Sequence, residues 1–532
     1  MTGGEIGRRN QLRARWARVP ERDRALAIVS VEFLFALLCW LIDHALGYGI
    51  AVVFTTLWLR RLPPYPWRLL VEALLVAIFA LAAAVGSASI SVALVLAAAF
   101  ALSWIPAGKR RWLLPALALV LAIAYPFFVD HLFTIPVFGS FPAVSTGTYM
   151  VVFIMMAVGL NMVVGYAGLL DLGYVAFYAT GAYTAGWLAS AQFAGQKCPR
   201  HGFTIANCPV APVPKLNLSL GAVGVPLGTG GIHLSIYLVV LLAGVLTAGF
   251  GVLIGLPTLR LRGDYLAIVT LGFGEILPQV AQNGNSLGGF NLTNGPNGIT
   301  PIDSPGFGNG LSSLTGHVLP ANYLSCCSSS LLGHQIENTD LFFWTALVLL
   351  VGTVFCTLRL RDSRLGRAWV AIREDETAAA AMGIPLMRTK TWAYASGAFF
   401  GGVAGAYYAV VKSGTFPDDF YFNISVFILC MVILGGMGNV WGVMAGAAFL
   451  AYLDQFGLGN IGNWIDTRIV VFGHRPNLDV PLYASGIYGV IIVVVMLFRP
   501  EGLLPSKRRA AELHSEDPHD EPLYDLQHEG AT

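Results

Sequence analysis

Charge is what this chain has least of. Asp, Glu, Lys and Arg together make up 12% of its 532 residues, about half of the ~25% carried by a soluble domain. That scarcity excludes a disordered chain, a nucleic-acid binder and a water-soluble enzyme of this length. The seven cysteines include no CxxC pair, and no His cluster stands at metal-ligand spacing; this excludes a disulfide miniprotein and gives no reason to expect a metal site. No GxxxxGK[ST] phosphate loop is present. The only Gly-Lys pair, Gly108-Lys109, runs into Arg110 without the preceding glycine spacing. No Ser/His/Asp or Cys/His arrangement stands out, so no catalytic residue is expected. The N-terminus lacks the short apolar core and cleavage site of a signal peptide and carries a basic stretch from Arg8 to Arg24.

Apolar residues fill the space that charge leaves. They make up 56% of the chain, and mean hydropathy is +0.66. A membrane helix needs about 20 mostly apolar residues. Runs near that length, or short of it, fall at 25–42, 47–59, 69–86, 88–105, 113–129, 146–165, 170–190, 233–256, 264–282, 341–358, 390–411, 422–436, 439–455 and 484–498. They are continuous rather than alternating, which excludes a β-barrel. The expected fold class is therefore an all-α polytopic membrane protein. With the N-terminus inside and the spans alternating, 26 of the 32 Lys and Arg fall on the cytoplasmic side. The positive-inside rule selects that orientation, with both termini cytoplasmic.

The loops differ in kind. Residues 191–232 and 283–340 form two long outer loops, the second without Lys or Arg. Cys198 and Cys208 lie in the first, on the oxidising side, and can close a disulfide; the rival is cross-pairing with Cys326 and Cys327. Residues 506–532 are acidic and His-bearing, and are expected to be a disordered cytoplasmic tail. The main inner loop, 359–389, is charged and helix-prone. Its segment 364–385 has four alanines in a row and no Gly or Pro between Gly366 and Gly383. This predicts one short helix, stopped by Gly383 and Pro385. Small residues let such a helix sit deep in a groove of another protein, with Arg373 to Glu376 in polar contacts at the rim. The alternative is a solvated connector.

Two features inside the apolar runs are unusual. Glycines at 159, 165, 168, 173, 181 and 186 punctuate one stretch. In lipid they serve close helix packing or an interrupted helix lining a cavity, and a helix N-terminus at such a break can face a substrate carboxylate. Asn161, Asp171 and Tyr178 lie near these breaks and are candidates for a translocation path. An acid within a span is costly. Glu275, in the middle of 264–282, either lines a pathway or hydrogen-bonds another helix.

Several segments together resemble a known family. Glu376, Ala378-Ala379 and Gly383 are similar to the coupling loop of ABC importer permeases, with the acid displaced as in the branched-chain amino acid permeases. The stretches Gly159 to Tyr183, Arg260 to Glu275, Asn291 to Ile299 and Phe498 to Leu503 resemble further blocks of that family in the same order, matching its M-type subunit over 112–505. The resemblance implies an ABC permease core of about ten helices, preceded by a membrane extension (1–111) with about four extra helices. It implies a permease without enzymatic activity in the bacterial plasma membrane. The implied partners are a homologous H-type permease, two ATPases that hold ATP and Mg, and an extracytoplasmic binding protein. The implied coupling residues are Arg373, Glu376, Ala378, Ala379 and Gly383. Asn294 stands where the family often has glycine and joins Asn161, Asp171, Tyr178 and Glu275 as a path candidate. Relatives of the family also handle amides and urea. A different class stays open: an ion- or proton-coupled secondary carrier, with Glu275, Glu32 and Asp171 as proton sites.

Overall fold

The computed structural model describes residues 107–129, 142–194, 215–223, 230–259, 264–287, 290–308, 312, 322–323, 330–331, 334–468, 479–498 and 502–503. The expected extension before residue 107, Glu32, Cys198, Cys208, Cys326, Cys327 and the acidic tail lie outside the described residues. The chain divides into two compact units, Met1–Phe141 and Pro142–Thr532. In the first unit one helix is described, α1 (Ala107–Phe128).

The second unit is mostly helical. Its centre is α2 (Val144–Asn161), which continues through a wide π-helical turn, Met162–Tyr166. This helix is apolar on every side, with no preferred face, so it suits only a position inside a bundle. α6 (Asn338–Asp362), α9 (Leu386–Lys412), α10 (Phe422–Gly435) and α11 (Val440–Tyr452) surround it. α9 also packs along α3 (Tyr174–Leu188) and α4 (Ile236–Thr258). Small residues set these crossings. A Cβ on Gly405 would lie 2.0 Å from the Tyr178 carbonyl oxygen, and one on Gly181 would lie 2.1 Å from that of Gly402. Backbone-to-backbone packing of this kind is what holds helices together where lipid removes the hydrophobic driving force.

The remaining described α-helices of this unit are α5 (Asp264–Asn283), α7 (Arg364–Glu374), α8 (Glu376–Ala381), α12 (Leu458–Arg468) and α13 (Ala484–Phe498). Among the described residues, four helical segments are long and apolar enough to cross a membrane: Val144–Tyr166, Ile236–Thr258, Asn338–Asp362 and Val480–Leu497. The expected span at 439–455 is longer than its hydropathy implied. α11 runs through a second π-helical turn, Leu453–Gly457, directly into α12. The polar residues of α12 lower its hydropathy but do not end the helix.

The two ends of the bundle differ. One carries α7 and α8. The other carries a small sheet of β1 (Ala189–Ser190), β3 (Gly231–Leu234) and β2 (Asn217–Leu220), in the order β1-β3-β2. At that end the loop 291–302 is stitched to the end of α9, with Ile299 and Thr415 exchanging backbone hydrogen bonds of 3.0 Å each. His233 Nδ1 lies 2.8 Å from Asp303 Oδ2 and ties β3 to the same region.

Candidate functional site

A buried node joins the segment α7–α8 to the middle of the bundle. Asn161 is fully buried at the end of α2. Its Oδ1 accepts the backbone N–H of Gly438 at 2.9 Å. Gly438 has φ +86 and sits in the tight turn between α10 and α11. The guanidinium of Arg373, on α7, donates to the carbonyl of Gly165 inside the π-helical turn. There is no spare room here. A Cβ on Gly165 would lie 1.9 Å from Asn161 Oδ1, and one on Gly168 would lie 2.7 Å from Arg373 Cγ. The structure thus places Asn161, expected on a path, and Arg373, expected at a docking rim, in one cluster. Arg373 turns inward, because a wide helical turn leaves carbonyl groups that need donors.

The expected single helix over 364–383 is two helices. Ser363 caps α7, accepting the Gly366 N–H at 3.2 Å. Asp375 then breaks the run: its backbone is extended, and its Oδ1 accepts the N–H groups of Thr377 and Ala378 at 2.7 and 2.9 Å as the N-cap of α8. Helix propensity alone did not expose this break, because an internal Asp competes for the backbone only once a cap geometry is available. Gly366, Trp369 and Ile372 bury one face of α7, and Trp369 Nε1 donates to the Thr389 carbonyl at 2.9 Å.

On α8, Ala379 is buried, while Thr377, Ala378, Ala380, Ala381 and Met382 are exposed. Glu376 is also engaged within the chain. Its carboxylate meets Lys390 Nζ at 2.7 Å, and the Lys390 side chain is only 5% exposed. Gly383 ends the helix at φ +82 with open space where a Cβ would go. Its N–H reaches the Ala380 carbonyl at 2.9 Å, and that of Ile384 reaches the Ala379 carbonyl at 3.1 Å, closing the last turn.

The glycine-punctuated stretch is a true interruption, but its helix N-terminus is not free. α3 begins at Tyr174, after the break at 167–173. Asp171, 1% exposed, accepts the Gly173 N–H at 2.9 Å. Thr270 Oγ1 of α5 accepts that of Leu172 at 3.1 Å, and Ser425 Oγ of α10 accepts that of Val175 at 2.9 Å. Side chains of this chain therefore take the N–H groups of Leu172, Gly173 and Val175 around the start of α3. Tyr178 lies deeper in α3, 1% exposed. Its ring stands edge-on to Tyr408 and Phe420, with centroids 5.3 and 5.1 Å away. In this chain it fills a core position.

Asn294 holds its own loop. It adopts φ +62, its Nδ2 donates to the Gly298 carbonyl at 2.9 Å, and its N–H reaches Asn291 Oδ1 at 2.8 Å. Glu275 behaves differently from the other candidates: it is exposed on α5. Lys390, Trp369, Thr270, Ser425 and Gly438 complete these clusters and were not singled out from sequence. The Glu376–Lys390 pair carried a signal, since each is the last charge before a long uncharged run. Thr270 and Ser425 carried none.

The comparisons agree with this architecture. Residues 143–496 match the family described as branched-chain amino acid transport system / permease component. The chain is 34% identical over 411 residues to the high-affinity branched-chain amino acid transport system permease protein LivM of Salmonella typhimurium, covering 76% of this chain and 78% of that protein. It is 33% identical over 409 residues to LivM of Escherichia coli, covering 76% and 77%. It is 25% identical over 283 residues to a probable LivM of Methanocaldococcus jannaschii, covering 51% and 68%. No solved structure matches. A match across most of the helical bundle, together with relatives above 30% identity over three quarters of both chains, means that this chain belongs to the branched-chain amino acid transport permease family.

Proposed function

We propose that this chain is one of two membrane permeases of an ATP-driven importer for the branched-chain amino acids leucine, isoleucine and valine. The observation that carries the reading is the 34% identity to a high-affinity branched-chain permease across three quarters of both chains. The second permease is a homologous H-type subunit. ATP and Mg bind to two separate ATPase subunits, in keeping with the missing phosphate loop. An extracytoplasmic binding protein delivers the substrate. The α7–α8 end faces the cytoplasm, the side favoured by the basic-residue count, and both termini lie on that side.

The exposed small residues around Ala378 and Ala380, ending at Gly383, give an ATPase cleft a surface that admits close approach. Arg373 and Glu376 serve the same coupling from inside. Arg373 ties α7 to the turn at Gly165, and Glu376 ties α8 to Lys390. Motion of the docked α8 then reaches the break beside Asn161 without passing through solvent. Asp171 and Tyr178 hold the frame of α3 that the motion acts on, and Asn294 holds the loop at the opposite mouth.

The substrate assignment is tested on the binding protein encoded beside this chain. Titration calorimetry with leucine, isoleucine, valine, urea and short amides should show binding of the three amino acids alone. Tight binding of urea or an amide, with no amino acid bound, would contradict it.

A further inference from the structure

α5 exposes a carboxylate and two amides in its middle and last turns, in a stripe beside the exposed Ile276 and Val280. Its buried face packs on the start of α3: a Cβ on Gly173 would lie 2.1 Å from the Thr270 carbonyl oxygen. On the opposite side Gly272, Glu275, Gln279 and Asn283 follow one another at intervals of three and four residues, which is one stripe of a helix. Glu275, Gln279 and Asn283 are exposed, and a Cβ on Gly272 would meet nothing within 4 Å. Among the described residues no hydrogen bond or ion pair reaches the Glu275 carboxylate.

Other outward faces contrast with this one. α4 exposes Leu241, Val245, Leu246, Leu253 and Leu256, and α13 exposes Val490, Val493 and Val494. Those faces suit hydrocarbon. A carboxylate followed by two amides does not, since a charge in lipid costs several kcal/mol.

The stripe also leads somewhere. From Glu275 to Asn283 it rises about 12 Å along the helix. Next to Asn283, Gln282 Nε2 donates to the Tyr421 hydroxyl at 3.4 Å, and that hydroxyl donates to Asp418 Oδ1 at 2.8 Å. The track therefore starts at one carboxylate and ends at another. The nearby cation, Lys412, is already neutralised by Asp419 at 2.5 Å, and residues 283–340 contain no Lys or Arg.

We infer that the Gly272–Glu275–Gln279–Asn283 stripe of α5 is this chain's wall of the translocation pathway, and that Glu275 accepts the α-ammonium group of the amino acid in transit. The inference rests on the proposed importer and names the residue that recognises its substrate class. An anionic wall attracts the ammonium end of a zwitterion and leaves the substrate carboxylate to the opposite wall. Gly272 keeps the wall clear where the side chain must pass.

The test uses the full complex with its binding protein in proteoliposomes. In a cysteine-free background, cysteines are placed at Gly272, Gln279 and Asn283, with Val245 and Val348 as lipid-face controls. The probes are 2-aminoethyl and 2-sulfonatoethyl methanethiosulfonate. The three stripe cysteines should react and the controls should not. The cationic probe should lead the anionic one by about tenfold or more, and Glu275→Gln should erase that preference. In the same complex Glu275→Gln should lower leucine uptake by about tenfold or more, with Glu275→Asp intermediate and subunit stoichiometry intact.

Stripe cysteines as silent as the controls, or wild-type uptake by Glu275→Gln, would overturn the inference while leucine import by the parent complex leaves the importer standing. A reactive, cation-preferring stripe in a complex that imports no branched-chain amino acid would support the pathway and overturn the ammonium assignment together with the importer reading.

Discussion

Arg373 donates a hydrogen bond to the carbonyl of Gly165, 208 residues earlier in the chain. One side chain thus links the amphipathic helix α7 to the π-helical turn that ends α2. A change that shortens it leaves the turn without its donor and unfills the space over Gly168. Arg373→Ala should therefore reduce ATP-coupled uptake by about tenfold or more, the loss of one charge-assisted hydrogen bond in a half-buried site. Arg373→Lys should recover part of it. Uptake in proteoliposomes, with ATP hydrolysis followed in parallel, measures both. The sequence alone places Arg373 among polar contacts at a docking rim; in the structure its guanidinium points inward to Gly165.

Gly383 closes α8 through its backbone and leaves the space outside it open. It has φ +82 and no neighbour within 4 Å of a Cβ, so Gly383→Ala and Gly383→Leu carry the same strain, about 1–2 kcal/mol, and differ only in outward bulk. Both should loosen the end of α8. Only the leucine should also weaken ATPase co-purification, and a pull-down of the assembled complex separates the two effects. Equal retention of the ATPase by wild type and the leucine variant would remove this turn from the contact.

The Glu376–Lys390 pair places a nearly buried ammonium against a half-exposed carboxylate. Glu376→Gln strands that charge and should lower the melting temperature of the complex, at a cost of about 1–3 kcal/mol. The double variant Glu376→Gln with Lys390→Met should recover much of the loss, because the stranded charge is gone. A double-mutant cycle on thermal unfolding reads the coupling.

Helix crossings can be tested through their glycines. Gly405→Ala pushes a methyl to 2.0 Å from the Tyr178 carbonyl oxygen, whereas Gly459→Ala meets nothing within 4 Å. The first should reduce the folded yield sharply, since α3 and α9 must move apart. The second should be neutral or slightly stabilising. Fluorescence-detected size exclusion after heating compares them.

Much of the bundle was legible in the sequence, because apolar run length maps directly onto helix length. The runs 264–282, 422–436 and 484–498 agree with α5, α10 and α13 to within one residue at each end. The run at 170–190 starts four residues before α3, since hydropathy does not register the capped turn around Asp171. Two π-helical turns were invisible, because no residue type encodes an extra residue per turn.

The site was less legible than the fold. Asn161 and Asp171 stand out in the sequence as polar among apolar neighbours, and that polarity satisfies backbone N–H groups of Gly438 and Gly173. From sequence, a polar side chain serving a helix break and one facing a pathway look the same. Glu275 could be told apart only once the exposed side of α5 was known.

In the proposed importer, ATP on partner subunits drives transport through this chain. Radiolabelled leucine uptake into proteoliposomes holding this chain, a partner permease and two ATPases tests this. Uptake should occur only with ATP and Mg on the ATPase side and loaded binding protein on the other, and none should follow an imposed proton gradient. Uptake by this chain alone, driven by a proton or sodium gradient without ATP or binding protein, would contradict it.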